Sequence, residues 1–442
     1  MSLHSSPDEE RSNLSNWVLE PNPTTNGTTV VHIESGARHE YFHANTLIHN
    51  VPHPPFIQPH IWEAQRSQLT FRPDDVFIET FAKCGTTLTE QIVLLLLNGG
   101  KDEELNPLHK NTIECASVID DPDSTSSIGA VKRVGKIWPE RAVIDGLAGL
   151  EAADGVTTAK DTRRNLCEGE GKGRMSVQTF DALPSPRILK THAPTQLFLD
   201  QDERVAKVLY ITRNPFDACV SCYYHPKTGV SPHSTGVPFD AFCKIWLSDR
   251  VEFGGWIRHT KGWRRELRRS YNQTKKKNML WISYEELVHS PLESIRTIAG
   301  FLGVDVTTDE TLVERVAHGC KFGTVKAAAQ ARIDGGEIGD ISHLRKGQVG
   351  DWRAHFDDEL FQQFENEIRS QFFQHDGGDD DGDDDDDLEY DIGQGHTWKL
   401  RDTSLMKLQQ EIDTVPISPK SNNAQEIVTE TLKKPRRSTL FS

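Results

Sequence analysis

Short apolar runs alternate with stretches of helical apolar spacing from residue 57 onward, and this rhythm predicts the fold. Val76-Phe77-Ile78 reads as a buried strand begun after the turn-like Pro73-Asp74-Asp75. The loop Phe81-Ala82-Lys83-Cys84-Gly85 follows, then a helix from about Thr86 to Leu97 that Gly99-Gly100 stops. Arg187 to His192, Lys207 to Arg213 and Met279 to Ser283 read as further strands. Asn214 is placed to cap the next helix, with Pro215 at its first position and Asp217 in its first turn. Helical spacing also covers about 239–250, 258–270, the Leu292-Ile295-Ala299-Leu302 face that ends at Gly303, and about Asp357 to Phe373. Strand–helix alternation predicts an α/β fold, a P-loop-like parallel sheet flanked by helices on both faces.

Elsewhere the rhythm fades. Residues 1–50 are rich in Ser, Asn, Thr and His and read as a polar N-terminal segment, mostly loop. Residues 101–180 hold acidic, Gly and Ser patches between short apolar pieces, the mark of a partly flexible insertion. Residues 226–238 read as a long loop. From 376 to 442 the chain is acidic and of low complexity, and a run of like charges resists collapse, so a disordered tail is expected. The basic end, Lys433 to Ser438, reads first as a free polar tail and otherwise as a segment that binds the acidic run, a membrane surface or an import receptor. One main domain over 51–375 follows.

Composition changes this picture little. A chain of 442 residues that is 36% hydrophobic suits one large α/β domain with extra polar segments. The formal net charge is −16, but residues 376–391 hold eleven Asp and Glu and no Lys or Arg. The acidic total therefore says little about the folded part's partner, and no nucleic-acid partner is expected. Seven scattered cysteines fit a reduced interior better than a disulfide framework, and Cys219 and Cys222 read as thiols on adjacent helical turns rather than a metal site. Met1 to Glu20 is polar and acidic, unlike a secretory signal, and the longest apolar run, Ile92 to Leu97, is too short to span a bilayer. The expectation is a cytoplasmic chain with no membrane span.

The candidate chemistry sits at strand ends. Lys83, His192 and Arg213 each stand at or just after the C-terminal end of a predicted strand, where open parallel sheets bind ligands. Lys83-Cys84-Gly85-Thr86-Thr87 joins a strand to a helix N-terminus, whose free N–H groups and partial positive charge suit an anion. A Walker-type loop would place its Lys directly after a glycine, whereas Lys83 precedes Gly85 and positions 79–82 hold no Gly. A phosphoryl-transferring P-loop enzyme would also need a Mg²⁺-binding Asp, and none is evident.

Thr80-Phe-Ala-Lys-Cys-Gly-Thr-Thr-Leu88 resembles the phosphosulfate loop Thr-Tyr-Pro-Lys-Ser-Gly-Thr-Thr-Trp of the cytosolic-type sulfotransferases. Lys190-Thr191-His192-Ala193-Pro194 resembles that family's Lys-Thr-His-Leu-Pro, and Arg213-Asn-Pro-Phe-Asp-Ala-Cys-Val-Ser221 its Arg-Asn-Pro-x-Asp-x-x-x-Ser. Arg345-Lys346-Gly347-Gln-Val-Gly350-Asp-Trp352 is similar to its Arg-Lys-Gly-x-x-Gly-x-Trp. The sequence departs from the family at Ala82, Cys84, Leu88 and Cys320.

The resemblance implies the sulfotransferase fold and 3'-phosphoadenosine 5'-phosphosulfate (PAPS) as co-substrate, with no metal. It implies a small hydroxylated acceptor such as an alcohol, phenol or sterol. His192 would be the general base, and Lys83 and Lys190 would neutralise charge building on the transferred group. Lys83, Cys84, Gly85, Thr86, Thr87 and Leu88 would line the 5' end of the nucleotide. Arg213, Ser221, Arg345, Lys346 and Gly347 would hold the 3'-phosphate, and Tyr284, Cys320 and Phe322 would contact the nucleotide. The family's dimerisation motif would start at Arg353, where Asp357-Asp358 replaces Thr-Val, so the resemblance leaves monomer or homodimer open. A non-catalytic nucleotide-binding homologue is the competing reading, supported by the four departures.

Overall fold

Strand Val76–Thr80 carries five buried residues in a row because both faces of the sheet are covered. The computed structural model describes residues 13–23, 27–41, 46–54, 57–100, 136–145, 175–183, 185–199, 206–225, 231–274, 278–309, 311–334, 344–373, 387–391, 393 and 396–401. In chain order the described strands are β1 (Trp17–Asn22), β2 (Gly27–His32), β3 (Arg38–Tyr41), β4 (Thr46–Ile48), β5 (Val51–His53), β6 (Val76–Thr80), β7 (Lys136–Ile137), β8 (Val143–Asp145), β9 (Met175–Ser176), β10 (Ile188–Thr191), β11 (Lys207–Thr212), β12 (Met279–Ser283), β13 (Asp387–Asp391) and β14 (Thr397–Arg401).

Five of them make one parallel sheet in the order β12-β11-β6-β10-β7. Side chains alternate between two buried layers. Val76, Ile78, Ile188, Leu209, Ile211, Leu280 and Ile282 face the helices Thr86–Leu97, Pro291–Leu302 and Leu312–Gly319. Phe77, Leu189, Val208, Tyr210 and Met279 face Trp62, Phe198, Trp263 and Leu267 on the other side. A two-residue period with both faces apolar is what makes the strands read as continuous hydrophobic runs. The expected helix starts and stops recur: Asn214 accepts from the Asp217 amide, Pro215 opens the helix Pro215–Tyr223, and Gly303 closes the helix Pro291–Leu302 in the left-handed conformation.

Two expectations are corrected. Among its described residues the N-terminal segment is not mostly loop: β1, β2 and β3 form an antiparallel sheet, and β4 pairs with β5. Trp17, Val30 and Tyr41 pack on a third core built on the helices Pro215–Tyr223, Phe239–Leu247 and Asp358–Phe373. Buried Thr28, Thr29 and His32 made this sheet read as polar loop. The C-terminal tail is likewise not wholly unstructured: β13 and β14 pair as a hairpin, and its Tyr390 and Trp398 enter the same core. Local composition is overridden here by burial of two aromatics against distant helices. The ordered domain therefore reaches beyond the expected bounds of 51 and 375 on both sides.

Part of the expected insertion is structural, since β7 extends the sheet edge beside β10 and β8 pairs with β9. Residues 101–135, 146–174 and 226–230, most of the acidic run and the basic end lie outside the described residues. Cys219 meets Cys243, sulfur to sulfur at 3.8 Å.

Candidate functional site

The sheet sets the site because β6, β10 and β11 are neighbours whose C-terminal ends point the same way. β6 runs into the loop of Lys83, β10 into His192, and β11 into Arg213. Separate sequence motifs are thus brought to one edge.

The phosphate-type loop turns sharply, with Lys83 at φ 69° and Gly85 at φ 113°. Gly85 caps the helix Thr86–Leu97 with no side-chain hydrogen bond, which leaves that helix N-terminus open to an anion. A Cβ on Gly85 would stand 2.8 Å from the Tyr284 ring, so only glycine allows this approach. The Cys84 side chain is buried and its thiol turns back toward the Ala82 carbonyl, 3.9 Å away. Thr86 Oγ1 lies 2.6 Å from Thr80 Oγ1. Thr87 is half-buried, and Leu88 packs with Cys320 against the core beneath the sheet.

His192 is held by its Nδ1, which donates to the Thr80 carbonyl at 2.7 Å. A carbonyl only accepts, so Nδ1 carries the proton and Nε2 keeps its lone pair. Loss of solvent around the ring and the Lys190 cation push its pKa down to about 3. Trp138 meets the ring edge-on at 5.4 Å, and Phe253 lies at 5.2 Å. The Lys190 ammonium sits 3.7 Å from Glu90 and 4.7 Å from the Trp138 ring centroid. Behind them Thr191 donates to buried Glu140, whose pKa burial raises to about 7. Buried His259 reaches the His192 carbonyl at 3.3 Å and Tyr210 at 3.0 Å. The Lys83 ammonium is 3.4 Å from His225 Nδ1.

Arg213 is the hinge of the other half. Its Nη1 donates to the Lys83 carbonyl at 3.1 Å, its Nη2 to the Gln348 carbonyl at 3.3 Å, and its plane stacks on Tyr284 at 4.4 Å. Its buried Nε has no hydrogen-bond partner among the described residues. Asp217 does not take this guanidinium as its hydrogen-bond partner. It accepts the Gly350 and Trp352 amides at 2.7 and 2.9 Å and so fixes the 345–352 loop. Arg345 and Lys346 both pair with Asp351. A Cβ on Gly347 would fall 2.2 Å from the Phe322 ring, which closes that loop over Phe322. Ser221 is half-buried on the helix Pro215–Tyr223.

Lys83, Gly85, Arg213 and Tyr284 thus share direct contacts, His192 joins them through Thr80, and Gly347 meets Phe322. An open helix N-terminus, an unpartnered guanidinium nitrogen and a glycine-lined loop fit a phosphate-bearing nucleotide. The sequence reading missed Thr80, Trp138, Phe253 and Glu140, whose roles come from contacts between distant segments, and it missed Asp351. Asp351 alone had a local signal, an acid six residues after Arg345.

This arrangement belongs to a known class. The family model described as the sulfotransferase domain matches residues 73–375, and the chain belongs to that family. Mouse sulfotransferase 2B1 is 31% identical over 308 residues, covering 68% of this chain and 72% of its own. Mouse sulfotransferase 1 family member D1 is 26% identical over 312 residues, covering 67% of this chain and 82% of its own. Mouse sulfotransferase SULT7A1, solved in complex with PAP, shares the fold with a TM-score of 0.50 at 20% identity, covering 75% of this chain and 95% of that one. Among the described residues no helix is long and apolar enough to cross a membrane.

Proposed function

We propose that this chain transfers a sulfuryl group from PAPS to the hydroxyl of a small acceptor, an alcohol, phenol or sterol. The observation that carries the reading is the 2.7 Å contact of His192 Nδ1 with the Thr80 carbonyl. With Nδ1 spent on the Thr80 carbonyl, Nε2 is an unprotonated base beside an anion-binding loop.

PAPS, when bound, supplies a sulfur that accepts the attacking oxygen and a 5'-phosphate that leaves. His192 Nε2 takes the acceptor's hydroxyl proton as the oxygen–sulfur bond forms. Lys83 and Lys190 offset the negative charge on the departing and non-bridging oxygens. Open amides at the start of the helix Thr86–Leu97 receive the 5' end, as backbone donors do whatever the side chain at 84. Arg213, with Arg345 and Lys346, receives the 3'-phosphate, for which a planar guanidinium fork is suited. Trp138 and Phe253 wall the base and favour an apolar acceptor body.

The test is incubation of the full chain with radiolabelled PAPS and panels of sterols, phenols and simple alcohols. Label transfer to an acceptor supports the reading. PAP binding without transfer to any panel member favours the non-catalytic homologue.

A further inference from the structure

The hairpin of β13 and β14 lies outside the residues that match the family model, yet it touches both segments assigned above to the 3'-phosphate. The Tyr390 hydroxyl is 2.6 Å from Thr212 Oγ1, with both side chains buried. Thr212 is the last residue of β11, and Arg213 comes next. At the hairpin turn, a Cβ on Gly393 would stand 2.9 Å from the Gly350 Cα, so the two backbones are in contact. Arg353 Nη2 donates to the Gly393 carbonyl at 3.2 Å. The second strand is anchored by Trp398, whose Nε1 donates to Glu365 at 2.8 Å and whose ring meets Phe216 edge-on at 5.3 Å.

A strap that only covered the aromatic core would need rings and no polar contact. Here a phenol hydroxyl is carried into the interior and spent on the strand end that aims Arg213. The hairpin turn meanwhile presses on the loop that Asp217 grips through the Gly350 and Trp352 amides. We infer that the hairpin is a working part of the nucleotide clamp, with Tyr390 and Gly393 as positioning residues that set Arg213 and the 345–352 loop for the donor's 3'-phosphate. The inference rests on the PAPS reading.

Tyr390→Phe keeps the ring and removes one hydroxyl. Calorimetric titration of the full chain with PAP, together with donor and acceptor saturation curves, reads the effect. The expected result is a rise of about three- to tenfold in PAP Kd and donor KM, with kcat and acceptor KM moving far less. Thr212→Val gives a similar rise, and the double variant adds little to it, as for two partners in one interaction. Gly393→Ala, which pushes Gly350, moves donor affinity in the same direction. PAP affinity equal to wild type in all these variants, with only a lower melting temperature, overturns the inference. A wild-type chain that fails to bind PAP overturns the donor reading and the inference with it.

Discussion

Arg213 joins two halves of the site, donating from Nη1 to the Lys83 carbonyl at 3.1 Å and from Nη2 to the Gln348 carbonyl at 3.3 Å. A lysine has no planar fork with which to serve both carbonyls and still face a phosphate. Arg213→Lys should therefore weaken PAP binding by at least about tenfold, measured by calorimetry, despite its conserved charge. Unchanged affinity would show that the charge alone matters.

His192 is expected to carry the proton transfer. His192→Ala should cut turnover by about 10²–10⁴-fold, the usual range for a general base, while PAP affinity stays close to wild type. Because its pKa is held near 3, the ring stays neutral across ordinary assay conditions. The profile of kcat/KM against pH should then show no acid limb at 6.5, and a histidine-like inflection there would contradict the assignment.

Glu140 links pH to stability. Burial raises its pKa from 4.5 to about 7, so the folded state holds the proton more tightly than the unfolded chain. The stabilisation is full below about 4.5 and is lost as pH rises through 7. Glu140→Gln keeps an acceptor for Thr191 and removes the titration. Its melting temperature should fall less than that of wild type between pH 5.5 and 8.5. Burial raises Glu285 to about 7 and Glu79 well above its ordinary value, so part of the wild-type slope remains. Identical slopes in wild type and variant would discount Glu140.

Asp217 holds two backbone amides and the Asn214 side chain with one buried carboxylate. Asp217→Ala takes the carboxylate away from the Gly350 and Trp352 amides, while the Asn214 side chain keeps its bond to Glu285, at a cost of about 2–4 kcal/mol in denaturant unfolding. Because the freed loop carries Arg345 and Lys346, PAP affinity should fall as well. A variant with wild-type stability would mean that water replaces the carboxylate.

Gly85→Ala tests the close approach of loop and ring. A methyl group there meets Tyr284 at 2.8 Å on a backbone at φ 113°. Loss of PAP binding by about tenfold or more, with a smaller loss of melting temperature, is the expected outcome. Retained affinity would show that the loop can shift.

Elements whose cause is local can be read from the chain of residues alone. β6, β11 and β12 were legible because both faces are apolar, and the helix Pro215–Tyr223 because Asn214, Pro215 and Asp217 sit where capping chemistry needs them. The loop at Lys83, the strand end at His192 and the strand end at Arg213 were legible as separate motifs for the same reason. Tertiary structure alone decided how they meet. It set the tautomer of His192 through Thr80 and gave Asp217 to the Gly350 and Trp352 amides. It also folded β1–β3 and the β13–β14 hairpin from polar or acidic surroundings. The physical reason is that these elements draw their stability from partners far away in the chain, as Tyr390 does from Thr212, and no window of neighbouring residues contains both members of such a pair.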